Sequence, residues 1–183
     1  MLGRSKPQGA RFLFGLWVGG MVASALLATV AFGLGSVISW LVPTIVREIA
    51  VAVLLVGFAV ADIANRTPHV WRQVPVTFLK TMPPGKLGMV WGFDLSLLFT
   101  TQKSTSLTWA ALSGVVLLAP GASWWMFCGM TTVGVSTIVL RSILLHLRRP
   151  SVHGDFRKPW FPVMRRVVGL ALVVVAAYTV LGV

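Results

Sequence analysis

The chain is poor in acid, poor in charge of any kind and almost without cysteine. Asp and Glu together number 4 in 183 residues and all charged residues make up 11%, against roughly 25% in an ordinary soluble domain. Between Phe12 and Val46 there is no Asp, Glu, Lys or Arg. Helices packed in water need a polar face, so this absence excludes water as the solvent of that stretch. The run also far exceeds the roughly 20 apolar residues that cross a hydrocarbon core of about 30 Å. A single cysteine, Cys128, excludes an intramolecular disulfide. Its neighbours Trp125, Met126, Phe127 and Met130 offer nothing to stabilise a thiolate, so it reads as a small hydrophobe.

Catalytic and cofactor signatures are missing too. There is no phosphate-binding glycine loop, no zinc-protease helix and no serine elbow. Haem would need an axial ligand at membrane depth, but of the histidines, His69 and His153 fall in connectors and His146 at a helix end. Arg148 and Arg149, between His146 and Asp155, would repel a metal cation. No catalysis, metal or cofactor is expected.

What is present is grease and positive charge: 56% hydrophobic residues and a formal net charge of +12. Basic chains often bind nucleic acid, but that needs cations on one face beside stacking aromatics. Here the cations sit at the ends of apolar runs while Trp and Phe lie inside them, so orientation in a membrane explains the charge and nucleic acid is excluded. Arg4, Lys6 and Arg11 ahead of an apolar stretch resemble a signal peptide. The stretch runs well past the 7 to 15 residues of a signal core, so it is expected to be an uncleaved first span.

The pattern predicts an all-α, polytopic transmembrane helix bundle, one membrane domain over residues 1–183. The first span is expected at 12–32, closing at Gly33-Leu34-Gly35, where glycine permits a break, with 36–42 an interfacial stretch around Trp40. Pro43 and Thr44 signal the start of a span at 45–64. The connector 65–86, with Pro68, Pro75, Pro83 and Pro84, cannot cross. Residues 87–119 are too long for one straight span and hold Asp94 and a polar run through Thr101, Gln102, Lys103 and Ser104. Further spans are expected at 122–147 and 163–181, joined by a basic connector at 148–162.

Counting rests on the positive-inside rule. Three cations precede Phe12, four lie from Arg66 to Lys86, and seven lie from Arg141 to Arg166. If all three clusters are cytoplasmic, 87–119 crosses once, as a broken or re-entrant element. About five crossings result, with the N-terminus cytoplasmic; six crossings is the alternative and would strand the third cluster outside.

Four groups of residues are candidates for function. Gly15 and Gly19, and likewise Gly88 and Gly92, are spaced to let helices approach closely. The first pair opens span one and the second opens the broken element, each beside a tryptophan (Trp17, Trp91), a faint internal echo. Asp94, Thr101, Gln102, Lys103 and Ser104 form a candidate polar pathway or binding site, because an ionisable group at membrane depth costs about 2.5 to 3.5 kcal/mol. Asp94 lies about 12 Å past Lys86 along a helix. Arg148, Arg149, Arg157 and Lys158 are candidate contacts for anionic lipid, with Trp160 as an interfacial anchor. Arg47 and Glu48 are expected to pair at the interface, and Asp62 to pair with Arg66 at i+4.

These features suggest a transport-type protein that moves or binds a small polar solute, ion or lipid headgroup, or the membrane subunit of a transporter. The alternative is a non-catalytic accessory subunit of a larger membrane complex; an intramembrane enzyme is a distant third. Expected partners are the lipid bilayer and either a second copy or a partner membrane subunit. Compact loops suggest a bacterial plasma membrane.

Overall fold

A computed structural model of the chain describes residues 6–64, 66, 81–97, 106–148 and 160–181. Among these residues all regular structure is helical: α1 (Lys6–Leu41), α2 (Thr44–Ile63), α3 (Pro84–Ser96), α4 (Leu107–Leu117), a 3-10 turn (Pro120–Ala122), α5 (Ser123–Arg148) and α6 (Trp160–Leu181). Four of them, α1, α2, α5 and α6, contain stretches long and apolar enough to cross a membrane, and α4 is a shorter apolar helix. The chain is an α-helical membrane bundle of about five spans.

One boundary differs from expectation in kind. No break occurs at Gly33-Leu34-Gly35; α1 continues to Leu41, so all but the last residue of 36–42 belongs to it rather than to a separate interfacial stretch. Away from water a helix has no substitute for its own backbone bonds, so glycine's freedom to break is not used. Gly35 serves close packing instead: a β-carbon there would lie 2.6 Å from the Val116 carbonyl oxygen. Trp40, 85% exposed in the last turn of α1, still marks that end.

The other boundaries shift by a few residues. Pro43 caps α2 with an extended ψ of 147°. Pro84 sits in the first turn of α3, which therefore starts before Leu87, at a position where the missing N–H costs nothing. Residues 87–119 contain two helices, α3 and α4; residues 98–105 between them lie outside the described set.

The described helices gather into two compact units, both of which draw on α1. The first holds α1 as far as Ala28, α3, and α5 from Trp124. Here α3 runs parallel to α1: Gly85 and Gly88 meet the turns around Phe12 and Gly15, and Gly92 meets Leu16 and Gly20. Opposite in direction, α5 brings Thr131 to Ser24 and Val135 to Leu140 alongside Trp17 to Leu13. Phe12 and Trp91 add an edge-to-face contact at 6.4 Å between ring centres.

The second unit holds α1 from Thr29, α2, α4, the 3-10 turn and α6. Its core is Val51, Ala52, Leu55 and Ala59 of α2, Ala110 of α4, and Leu172 and Ala176 of α6. Small residues let the axes close, and Gly169 is pressed against Ala59 and Ile63. Because Gly169 meets the last turn of α2 while Leu172 and Ala176 join the core nearer its start, α6 runs antiparallel to α2. So does α4, whose N-cap Ser106 lies beside Asp62 and whose last carbonyl, that of Leu117, lies beside Arg47.

These directions settle the path of the chain. Arg66, Ser106 and the start of α6 all lie at the Asp62 end of the second unit, so residues 66–106 leave and return to one end. At 13 residues, α3 is about 20 Å long, too short to cross a core of about 30 Å. At 11 residues, α4 is shorter still, about 17 Å, so neither helix alone spans that core. Six crossings would put Ser106 at the opposite end from Arg66.

Candidate functional site

The first unit holds a polar junction inside its apolar walls. Ser24 of α1 hydrogen-bonds Thr131 of α5, and Thr131 Oγ1 donates to Ser96 Oγ of α3 at 3.4 Å. Ser24 is 1% exposed. Gly20 makes room for this meeting, since a β-carbon there would fall 2.8 Å from the Thr131 methyl and 2.9 Å from Ser96 Oγ. Elsewhere on these helices hydroxyls turn back to their own backbone: Ser113 to Trp109, Thr132 to Cys128, Thr137 to Val133 and Thr179 to Val175. Such i−4 bonds satisfy a hydroxyl in an apolar helix without a partner helix. Only across the α1, α3 and α5 contact, among the described residues, do three hydroxyls from three helices meet.

Asp94 lies two residues before Ser96, in the last turn of α3, and is buried. A carboxylate there opposes the negative end of the helix dipole. The face of α3 that meets α1 carries Gly85, Gly88, Gly92 and Ser96; Leu87, Trp91 and Asp94 form the adjoining ridge at i, i+4 and i+7, from which Trp91 still reaches Phe12 of α1. Leu87 is fully buried, and Trp91 Nε1 is buried without a hydrogen-bond acceptor among the described residues. Thr101, Gln102, Lys103 and Ser104 lie outside the described residues, as do Arg149, Arg157, Lys158 and the side chain of Arg148.

The glycine pairs meet one another. A β-carbon on Gly15 would lie 2.1 Å from the Gly85 carbonyl oxygen, on Gly19 2.0 Å from that of Met89, on Gly88 2.1 Å from that of Phe12, and on Gly92 2.0 Å from that of Leu16. Each glycine thus faces a backbone oxygen of the other helix where a side chain would begin. The two similar segments are the two sides of one parallel contact, which holds α3 and Asp94 at a fixed register on α1.

A second buried acid is in the other unit. Asp62, fully buried in the last turn of α2, accepts hydrogen bonds from Ser106 N at 2.8 and 3.1 Å and from Ser106 Oγ at 2.8 Å. Ser106 is the N-cap of α4. A carboxylate at that point meets the free N–H groups and positive end of the α4 dipole. Pairing with exposed Arg66 was the expectation for Asp62; among the described residues its carboxylate is held by the cap of a second helix. Arg47 is likewise engaged between helices, donating to Ser39 Oγ at 3.0 Å, the Leu117 carbonyl at 2.9 Å and Thr44 Oγ1 at 3.0 Å. No ion pair joins it to Glu48 among the described residues, and it fastens the end of α4 to the start of α2.

Ser24 stands out in the sequence only as part of a stripe of small residues, Gly20, Ser24 and Ala28, that continues from Gly15 and Gly19 along the first span, and Ser96, Thr131 and the Asp62–Ser106 link are not visible at all. The usable signal was hydroxyls in otherwise apolar runs. No protein-family model, curated protein or solved structure matches the chain.

Proposed function

We propose that this is a transport-type membrane protein that binds or moves a small polar solute, ion or lipid headgroup, with Asp94 at its centre. The observation that carries this is the buried carboxylate in the last turn of a half-length helix, beside a hydroxyl junction built from three helices. Ionisable groups at membrane depth are costly and mark substrate or ion paths. Helices that stop part-way through the bilayer are where transporters place such sites. Thr101, Gln102, Lys103 and Ser104 continue the same segment and belong to the proposal as its further polar contacts. The orientation proposed is N-terminus cytoplasmic, in a bacterial plasma membrane, following the basic connectors.

The accessory-subunit alternative is weaker, because Gly15, Gly19, Gly88 and Gly92, the surface it relied on, are occupied within the chain. Asp94→Asn keeps size and hydrogen bonding while removing the charge. In a host dependent on the chain, the variant is expected to be made at normal level, to melt in detergent within a few degrees of the unaltered chain, and to lose function. Full function with full stability would remove Asp94 as a site.

A further inference from the structure

The first unit carries an apolar groove on its surface, independent of the Asp94 site. Leu13, Phe14 and Trp17 of α1 form one wall and Val135, Ser136, Val139 and Leu140 of α5 the other. The groove holds about 540 Å³ and opens widely to the surroundings. Both walls belong to stretches apolar and long enough to cross a membrane, so what lies against them is hydrocarbon.

One end of the groove is charged. Arg11, Phe14 and Trp17 follow at i, i+3 and i+6 and so form one ridge of α1. Arg11 is exposed, Phe14 is 68% exposed and Trp17 41%. Phe14 and Trp17 lean on one another at 6.5 Å between ring centres, which stiffens that wall. Arg11 is also the last cation before the uncharged stretch, the point where α1 enters the apolar phase. Tryptophan one to two turns deeper is the usual companion of the headgroup level. A cation at the mouth, an aromatic wall below it and an apolar trough beyond match one kind of molecule: an acyl chain with a negative headgroup.

We propose that the groove between Leu13 and Leu140 is a binding site for one acyl chain of an anionic phospholipid, whose phosphate pairs with Arg11. The cation accounts for the preference among headgroups and the trough for retention of the chain. Arg11→Gln therefore removes selectivity, and Ser136→Trp, which fills the trough from its one polar lining position, removes retention.

Native mass spectrometry of the full chain, released from detergent after equilibration with equimolar phosphatidylglycerol and phosphatidylcholine, tests both halves. A cation near the surface contributes about 1 kcal/mol, or about fivefold in affinity. Phosphatidylglycerol is expected to be retained about fivefold over phosphatidylcholine by the unaltered chain, equally with it by Arg11→Gln, and neither lipid by Ser136→Trp. Helical content and melting in detergent confirm that both variants fold; if Ser136→Trp does not, Val139→Phe takes its place. Equal retention of the two lipids by the unaltered chain would overturn the proposal, as would unchanged selectivity in Arg11→Gln. A dimer of the unaltered chain that Ser136→Trp converts to monomer, with lipid retention unchanged, would overturn it in favour of a self-association surface.

Discussion

Replacing Gly19 or Gly92 with alanine adds one methyl group at a place where no methyl fits. In each case the added carbon falls 2.0 Å from a carbonyl oxygen of the opposing backbone, Met89 for Gly19 and Leu16 for Gly92. Carbon and oxygen approach no closer than about 3.3 Å even in favourable contacts. The two helices must therefore part by more than about 1 Å, and an obstructing backbone cannot turn aside as a flexible side chain does. Overpacking costs about 1 to 3 kcal/mol, and these positions belong in its upper half. For a chain of 150–250 residues each kcal/mol moves the midpoint by about 2 to 4 °C, so each variant is expected to melt about 4 to 12 °C lower. Gly33 and Gly57 are the internal controls, because a β-carbon at either meets nothing within 4 Å. Alanine there gains helix propensity of up to about 1 kcal/mol, and its midpoint should stay level or rise. The assay is loss of the monodisperse peak on size exclusion after heating in one mild detergent. Equal midpoints for Gly92→Ala and Gly33→Ala would show that α1 and α3 do not touch through their glycines.

Asp62→Ala strands the buried N–H and hydroxyl of Ser106 and should cost about 1 to 3 kcal/mol, while Asp62→Asn, which keeps an acceptor, costs less; equal losses on melting would mean the link to Ser106 is not what holds Asp62. Thr131→Val removes the central hydroxyl of the junction and should lower stability by only about 0.6 kcal/mol, the usual worth of a hydrogen bond between membrane helices. Should that variant also lose function at normal stability, the junction belongs to the path; unchanged function would leave it as a fastening. Reporter fusions after Arg66 and before Trp160 should report the same face of the membrane, since both lie at the Asp62 end of one unit; opposite faces would contradict the antiparallel packing of α2 and α6.

The helices were legible because lipid leaves a chain few choices. Backbone groups in hydrocarbon must bond within the segment, so apolar length translates directly into helix. The same constraint explains the error at Gly33-Leu34-Gly35: glycine announces a break in water, where solvent takes over the freed bonds, and in α1 no such replacement exists. Cationic clusters told which connectors share a side because charge is the one thing lipid rejects strongly, and Arg66 and the start of α6 do share an end of the second unit. Division into two interleaved units was not legible. It depends on which apolar faces meet, and faces made of Leu, Val and Ala are interchangeable in sequence.

The polar residues show where local reading stops. Asp94 drew notice because a charge deep in an apolar run has no local explanation. Asp62 was passed over because it had one, with Arg66 placed at i+4. Helical spacing shows only that two groups can meet, and the carboxylate went instead to Ser106, 44 positions on. There it finds a backbone N–H, a hydroxyl and the positive end of α4, a richer set of donors than one exposed guanidinium screened by water. Burial decides between them, since a carboxylate fully removed from solvent needs fixed donors on more than one side. Among the described residues two acids, Asp62 and Asp94, are buried, each in the last turn of its own helix. Asp62 sits where the dipole of α4 welcomes it, which is what stability alone would select. Asp94 stands two residues before Ser96 of the hydroxyl junction, in a helix of 13 residues, and that placement is why Asp94 and not Asp62 is the residue assigned to function.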